Sequence, residues 1–190
     1  LGQALTRMGA FPDADLELKA ARSQLVALLA GNPANAEARR VLARVDLARS
    51  EALYLRKHGK TAGQTVRALR ASLNKDAGAD PTIQAQAALL EALIQPGGTA
   101  GQAYVAAQKV LPALVAAADA QQIKAVGSRD AALALRRTGE IGLRAGQTAS
   151  ACGLLKQAEE RFVALAAGGT LNALDARDRG ELALLRKRCE

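Results

Sequence analysis

Two cysteines are the side chains of this sequence with the clearest chemistry. Cys152 and Cys189 are the only cysteines among the 190 residues, and the midpoint between them falls beside a turn predicted at Gly169-Thr170. Residues equidistant from the turn of an antiparallel helical hairpin are neighbours, and Cys189 continues an apolar stripe formed by Leu182 and Leu185. The sequence therefore predicts a disulfide between the two helices of this hairpin.

A disulfide here would stabilise the C-terminal helix and indicate where the protein works. It would close a loop of 36 residues, which the chain-entropy model values at about 3–4 kcal/mol. Such a bond also implies an oxidising compartment. The alternative is a cytosolic protein in which both cysteines are reduced, buried and act as small apolar residues.

No catalytic or metal-binding motif accompanies the cysteines. The sequence lacks HExxH, a P-loop, GxSxG and any CxxC spacing, and the segment 98–101 lacks the lysine that a phosphate cradle needs. The single histidine, His58, lies far from both cysteines in sequence at a predicted helix end, where exposure to solvent is the simpler interpretation. We therefore predict no enzymatic activity, no metal site and no cofactor.

Composition indicates a helical protein whose core is built from alanine and leucine. Hydrophobic residues make up 49% of the chain but aromatic residues only 2%, and runs of β-branched residues are few. The net charge of +8 permits an acidic partner. No apolar run approaches the roughly 18 residues that suggest a membrane span. Because the chain begins at Leu1 rather than methionine, we expect a domain excised from a longer protein.

Residues that start and end helices divide the chain into hairpins. Asp13 is placed to cap a helix that runs to about Ala30, and the longest helix is predicted over about 35–58. Capping boxes are expected at Thr61/Gln64 and Thr99/Gln102, and a cap at Ser128. Asp80-Pro81 is expected to start a helix that ends at 95–98, and Pro112 to kink its helix or end it early. The predicted hairpins are 1–30, 35–75, 81–118 and 128–167, followed by a capping helix over 173–189.

A short motif recurs three times and suggests that the hairpins are repeats. Ala-Gly-Gln occurs at 62–64, 100–102 and 145–147, and its glycines are 38 and 45 residues apart, the spacing of helical-hairpin solenoids. An alanine follows each glycine by five residues, at Ala68, Ala106 and Ala151. We therefore predict that residues 1–190 form a single all-α domain.

The third copy resembles the tetratricopeptide repeat. Six residues have the spacing of its small and large positions: Leu135, Gly139, Gly146, Ala151, Leu155 and Ala158. A small residue at Gly139 lets the second helix approach the first, and Gly146 can adopt a positive φ where the first helix ends. Gly142 and Thr138 depart from the family, which usually has an aromatic and an apolar residue there. The resemblance implies a tetratricopeptide-like α-solenoid of about four helical hairpins plus a C-terminal capping helix.

This resemblance implies a surface for a protein or peptide, because first helices line the concave groove of such solenoids. On the longest helix, a mixed basic and aromatic strip lies within an arc of about 80° at about 100° per residue: Arg40, Arg44, Leu47, Glu51 and Tyr54. Guanidinium groups beside an aromatic ring suit a carboxylate or acidic side chains. Alternatively, Leu47 and Tyr54 pack against an adjacent hairpin while the arginines are solvated.

Other basic residues cluster later in the chain. One group is Arg136, Arg137 and Arg144. Another, at 186–188, lies in a last helical turn, where it complements the helix dipole. Glu181 and the three residues at 186–188 are expected to face outward. Neither group has interleaved aromatic residues or a recognised reading module, which argues against nucleic-acid binding.

The last hairpin and closing helix also resemble the C-terminal tetratricopeptide-like regions of bacterial membrane-anchored serine/threonine kinases. The resemblance covers about the last 60 residues and is carried by Ala151-Cys152, the Gly168-Gly169 turn, the 171–179 connection and the closing Arg188-Cys189. It implies a non-catalytic sensor or docking domain in the periplasm, attached to an upstream signalling domain. Two alternatives are a cytosolic regulatory solenoid of a transcription regulator and a structural adaptor with no signalling partner.

Overall fold

The predicted all-α class is confirmed in a computed structural model, which describes residues 2–95 and 99–190. The helices are α1 (Gly2–Arg7), α2 (Phe11–Gly31), α3 (Ala36–Leu55), α4 (Gly59–Leu73), α5 (Pro81–Ile94), α6 (Ala100–Asp119), α7 (Lys124–Arg144), α8 (Thr148–Ala167) and α9 (Ala173–Arg186), with a 3-10 turn at Lys187–Cys189. These described ranges contain no β-strand. The predicted α5 end at 95–98 falls mostly outside the described residues.

The chain divides into two compact units, Leu1–Ile94 and Gln95–Glu190. In the first unit, α3 packs against α2, α4 and α5. In the second unit, α7 packs against α6, α8 and α9. The predicted hairpin 81–118 spans the boundary, so that α5 and α6 belong to different units; the single-domain organisation stays a prediction.

The two units contain the same succession of four helices. The helices α6, α7, α8 and α9 begin 88 to 92 residues after α2, α3, α4 and α5, respectively. Corresponding residues have matching environments: Ala62 in α4 and Ala151 in α8 are both 0% exposed, whereas Leu16 in α2 and Val105 in α6 are 67% and 66% exposed. We therefore describe the second unit as a structural counterpart of the first.

The turns after α3 and α7 show this correspondence in the backbone. Gly146 has a φ of 74°, as predicted, and Lys57 has a φ of 62° at the equivalent position. In both turns, the residue after the left-handed one donates its N–H to the carbonyl of the residue five positions earlier. Gln147 donates to Gly142, and His58 donates to Leu53, each at 2.9 Å. This is the Schellman arrangement, which satisfies carbonyls left open at a helix end.

The Ala-Gly-Gln motifs do not mark equivalent positions, so the repeat register predicted from them is wrong. Gly63 lies within α4, Gly101 is exposed in the first turn of α6, and Gly146 lies in the turn before α8. Ala68 and Ala106 are exposed, whereas Ala151 is buried. The structural counterpart of Gly146 is Lys57, and the sequence gives no sign of this because a lysine rarely adopts a positive φ.

Small residues bring the helices of the second unit close together. A Cβ atom at Gly139 would lie 2.8 Å from the Leu155 side chain, which confirms that this glycine permits the close approach of α7 and α8. A Cβ atom at Gly142 would lie 2.8 Å from the ring of Tyr104 on α6. The absence of a side chain at Gly142 therefore leaves room for the Tyr104 ring between α6 and α7.

Several predicted helix starts differ from the structure by a few residues. Asp13 and Thr61 lie in first turns, because α2 begins at Phe11 with a proline in its first turn and α4 begins directly after the Lys57 turn. Ser128 lies inside α7, and Thr99 is the N-cap of α6 without a side-chain capping bond to its described residues. The Asp80 cap is confirmed, since its Oδ1 accepts the N–H of Thr82 at 2.9 Å.

Pro112 does not end its helix, contrary to one of the two outcomes expected for it. The helix α6 continues to Asp119 with Pro112 inside it. Both Pro112 and Gln108, the residue four positions earlier whose carbonyl loses its usual donor, are exposed. Water can therefore satisfy that carbonyl, which lowers the cost of the proline.

Candidate partner-binding surfaces

The predicted strip lies along α3, and its five residues differ in exposure. Arg40 and Arg44, near the start of the helix, are exposed, whereas Leu47, Glu51 and Tyr54 are half-buried. The helix α5 packs against α3. The strip thus has an open basic end and a partly covered apolar end.

The arginines of the strip already have carboxylate neighbours. Nη1 of Arg40 lies 3.1 Å from Glu37, and Nη2 of Arg44 lies 3.6 Å from Asp80 at the start of α5. The two arginine side chains nevertheless remain 48% and 55% exposed. Ion pairs this exposed are worth about 0.2–1 kcal/mol, so a partner carboxylate can compete for these guanidinium groups.

A second charged centre in the first unit surrounds Asp15 on α2, and the sequence analysis missed it. Its carboxylate lies 2.7 Å from Lys19, 3.2 Å from Arg49 and 3.8 Å from Arg56. Burial is the largest influence on the pKa of Asp15 and raises it, but hydrogen bonds from Lys19 and Arg49, together with their charges, lower the pKa below its usual value. Only the i,i+4 spacing to Lys19 was visible in the sequence.

The predicted disulfide between Cys152 and Cys189 is present. The Cα atoms of the two residues are 5.7 Å apart, which is within the usual range for such a bridge. The bond joins the beginning of α8 to the 3-10 turn that follows α9. It therefore closes the free end of the last helix onto α8.

The other end of α9 is held by a buried ion pair. Nε of Arg129 donates to both carboxylate oxygens of Asp175, at 2.7 and 2.8 Å, and Nη2 donates to the carbonyl of Thr170 at 2.7 Å. Asp175 also forms a capping box with Asn172, each side chain accepting the other's N–H at 2.9 Å. One carboxylate thus starts α9 and attaches it to α7.

A second arginine, two helical turns further along α7, contacts the middle of α9. Arg136 was predicted to belong to a basic cluster, but its side chain is only 2% exposed and lies 2.9 Å from Asp178 and 3.0 Å from Glu181. Its Nη1 also lies 3.5 Å from Glu140 on α7. No acceptor among the described residues reaches its Nε. Arg136 therefore pairs with the carboxylates of α9 and does not contribute to a solvent-facing basic surface.

Glu181 and Arg186, which were predicted to face outward, do so only in part. Both residues are half-buried, and Glu181 pairs with Arg136. Arg186 lies 3.4 Å from Glu159 on α8. Lys187 and Arg188 are exposed as expected. The signal that could have revealed these contacts is the spacing of Asp175, Asp178 and Glu181, which places three carboxylates on one side of α9.

The fourth helix is attached differently in the two units. The helix α5 buries four large apolar side chains, Ile83, Leu89, Leu90 and Leu93, and adds one ion pair between Arg70 and Glu91. Among the described side chains of α9, Leu182 is the one buried apolar residue, accompanied by buried Asp175 and Asp178. Leu185 is partly buried and packs with Leu182 against the core of the second unit. Ion pairs and a disulfide therefore accompany the apolar contact of α9, whereas α5 is held by a larger set of fully buried described apolar side chains.

Other kinds of site are not evident in the described part of the chain. His58 is exposed, as expected, at the N-cap of α4. Residues 2–95 and 99–190 contain no group of three side chains suited to a metal ion, and no described helix has the length and apolarity needed to cross a membrane. No protein-family model, no curated protein and no solved structure matches the chain.

Proposed function

We propose that this chain is a non-catalytic binding domain that presents the α3 strip to an acidic segment of a protein or peptide. The observation that carries the proposal is the exposure of Arg40 and Arg44 at one end of a strip that continues into half-buried Leu47 and Tyr54. An acidic side chain can pair with the guanidinium groups while an adjacent apolar side chain contacts the covered end.

The scaffold of this domain is a tetratricopeptide-like helical repeat. Support comes from the hairpins α3–α4 and α7–α8, which share the Schellman turn and the buried positions of the second helix. Val66 in α4 and Leu155 in α8 are corresponding residues. Each is 0% exposed, and each lies at the same distance in sequence from the turn before its helix. Stacked hairpins of this kind present first helices to partners.

The parent protein is a bacterial signalling protein, and the domain is its C-terminal ectodomain in the periplasm, as in the membrane-anchored kinases that the last residues resemble. The Cys152–Cys189 bond supports this assignment, because stable disulfides are typical of oxidising compartments. Alkylation of free thiols in intact cells, followed by mass spectrometry, tests it. A disulfide-linked, unmodified form is expected to predominate, and alkylation of both cysteines throughout the population would assign the protein to a reducing compartment.

Peptide selection tests the binding surface directly. A random twelve-residue peptide library displayed on phage should yield binders rich in aspartate and glutamate when panned against the full chain. Their affinity should fall at least tenfold for Arg44→Gln combined with Tyr54→Ala. The matched control is Arg67→Gln, because Arg67 is an exposed arginine on α4. Unchanged affinity in the strip variant, or equal losses in both variants, contradicts the proposal.

A further inference from the structure

The arginine face of α7, defined by Arg129 and Arg136, is a buried carboxylate-binding arrangement. Both guanidinium groups are buried, at 9% and 2% side-chain exposure, and they receive three carboxylates from α9. The two arginines are seven residues apart, which places them on the same side of the helix about 10 Å apart along its axis. Their partners recur at every third residue of α9: Asp175, Asp178 and Glu181.

We propose that the arginine face of α7 is a receptor for an acidic helix in another protein, and that α9 occupies it until the Cys152–Cys189 disulfide is reduced. The matching partner is a helix with carboxylates at positions i, i+3 and i+6, because α9 itself supplies that pattern to the two arginines. Charge complementarity thus identifies the occupant. This surface is independent of the α3 strip and lies in the second unit.

The way in which α9 is attached makes it replaceable. An apolar helix such as α5 gains its stability from burial that a polar competitor cannot match. Buried ion pairs contribute little net stability, because each charge loses its hydration when the pair forms. Among the described apolar side chains of α9, Leu182 is buried and Leu185 is partly buried against the same core, so the Cys152–Cys189 disulfide adds a covalent restraint to a limited apolar contact.

Reduction provides the release step. A dithiol reductant transfers two electrons and two protons to the Cys152–Cys189 bond, the S–S bond breaks, two thiols form, and the reductant leaves as its own disulfide. The remaining link between α8 and α9 is the short connection at Gly168–Asn172, in which Gly169 has a φ of 64°. A glycine there allows the connection to change direction when α9 leaves.

Fluorescence anisotropy with a defined probe tests the receptor. The probe is a fluorescein-labelled peptide of residues 170–190 carrying Cys189→Ser, and a matched control peptide carries Asp175→Asn, Asp178→Asn and Glu181→Gln. The full-length chain is used in three forms: the oxidised protein, a Cys152→Ser/Cys189→Ser variant, and that variant with Asp178→Asn and Glu181→Gln added to weaken its own α9. We expect the acidic probe to bind at least tenfold more tightly at each step, and the control peptide to bind none of the forms.

Folding and alternative occupants are separated from binding within the same experiment. If the serine variants lose helicity by circular dichroism, the wild-type chain reduced with dithiothreitol replaces them. Equal binding of acidic and control peptides, or no gain on removal of the disulfide, overturns the proposal. A concentration-dependent dimer that excludes the probe would assign the face to α9 of a second copy and would also overturn it. Adding Arg44→Gln and Tyr54→Ala should leave probe affinity unchanged, so this result does not depend on the α3 strip.

Discussion

Arg129 and Asp175 are separated by 46 residues, and their side chains meet in the interior with Nε of the arginine 2.7 and 2.8 Å from the two carboxylate oxygens. The contact joins the beginning of α7 to the beginning of α9. Because the Asp175 carboxylate also accepts the N–H of the N-cap residue Asn172, the same side chain contributes to the start of α9 and to its packing. The second unit therefore depends on this aspartate at two levels.

Removing the Asp175 side chain should be strongly destabilising. Asp175→Ala leaves the buried Arg129 without a carboxylate and removes the half of the capping box in which Asp175 accepts the N–H of Asn172. Breaking a buried pair in this way typically costs about 3–5 kcal/mol. Urea unfolding followed by circular dichroism measures the change. The matched control is Asp13→Ala in the first turn of α2, an exposed residue whose loss should cost no more than about 1 kcal/mol. Similar losses in both variants would contradict the structural role of the pair.

The positive φ of Lys57 predicts a stabilising substitution. A side chain in this left-handed conformation costs about 1–2 kcal/mol, so Lys57→Gly should raise the free energy of unfolding by up to about 1 kcal/mol after the larger chain entropy of glycine is counted. Lys60→Gly, inside the first turn of α4, is the control and should be destabilising by about 0.5–1 kcal/mol. A loss of stability in Lys57→Gly would show that the turn is not left-handed.

The Lys57 turn and the Arg129–Asp175 pair also show what the sequence could and could not predict. The α7–α8 hairpin was predictable because Gly139, Gly146 and Ala151 are small residues at local spacings, and each has the expected environment. The equivalent turn after α3 was missed, because its left-handed residue is a lysine and the nearby Gly63 gave a misleading signal. The Arg129–Asp175 pair was missed for another reason: periodicity reports on one helix at a time, whereas this contact depends on how two distant helices pack.

Close contact between α7 and α8 predicts opposite effects for two glycine substitutions. Gly139→Ala would place its Cβ atom 2.8 Å from Leu155 and 3.1 Å from the carbonyl of Ala151, and such overpacking costs about 1–3 kcal/mol. Gly153→Ala, in α8, meets no atom within 4 Å and should instead stabilise by about 0.5–1 kcal/mol. Thermal unfolding of the two variants provides the comparison, and stabilisation by both would argue against the close approach.

The charged centre around Asp15 predicts a specific dependence on pH. Its pKa in the folded protein is lowered from an unfolded value of about 3.9, so the ionised form contributes stability above that pH, and the contribution is lost as pH falls through the folded pKa. Asp15→Asn should therefore lower the free energy of unfolding by about 1–3 kcal/mol at pH 7 and by progressively less as pH falls through the folded pKa. Urea unfolding across this range gives the answer; a difference that does not vary with pH would exclude the ion pairs as its cause.

The two units share one helical arrangement but hold their fourth helix by different forces. Native-state hydrogen exchange, measured with and without dithiothreitol, compares α5 and α9 in the same molecule. We predict that reduction lowers the protection of amides in α9 at least tenfold, while amides in α5, which is held by Ile83, Leu89, Leu90 and Leu93, keep theirs. Protection that is unchanged in α9, or that falls equally in α5 and α9, would contradict the claim.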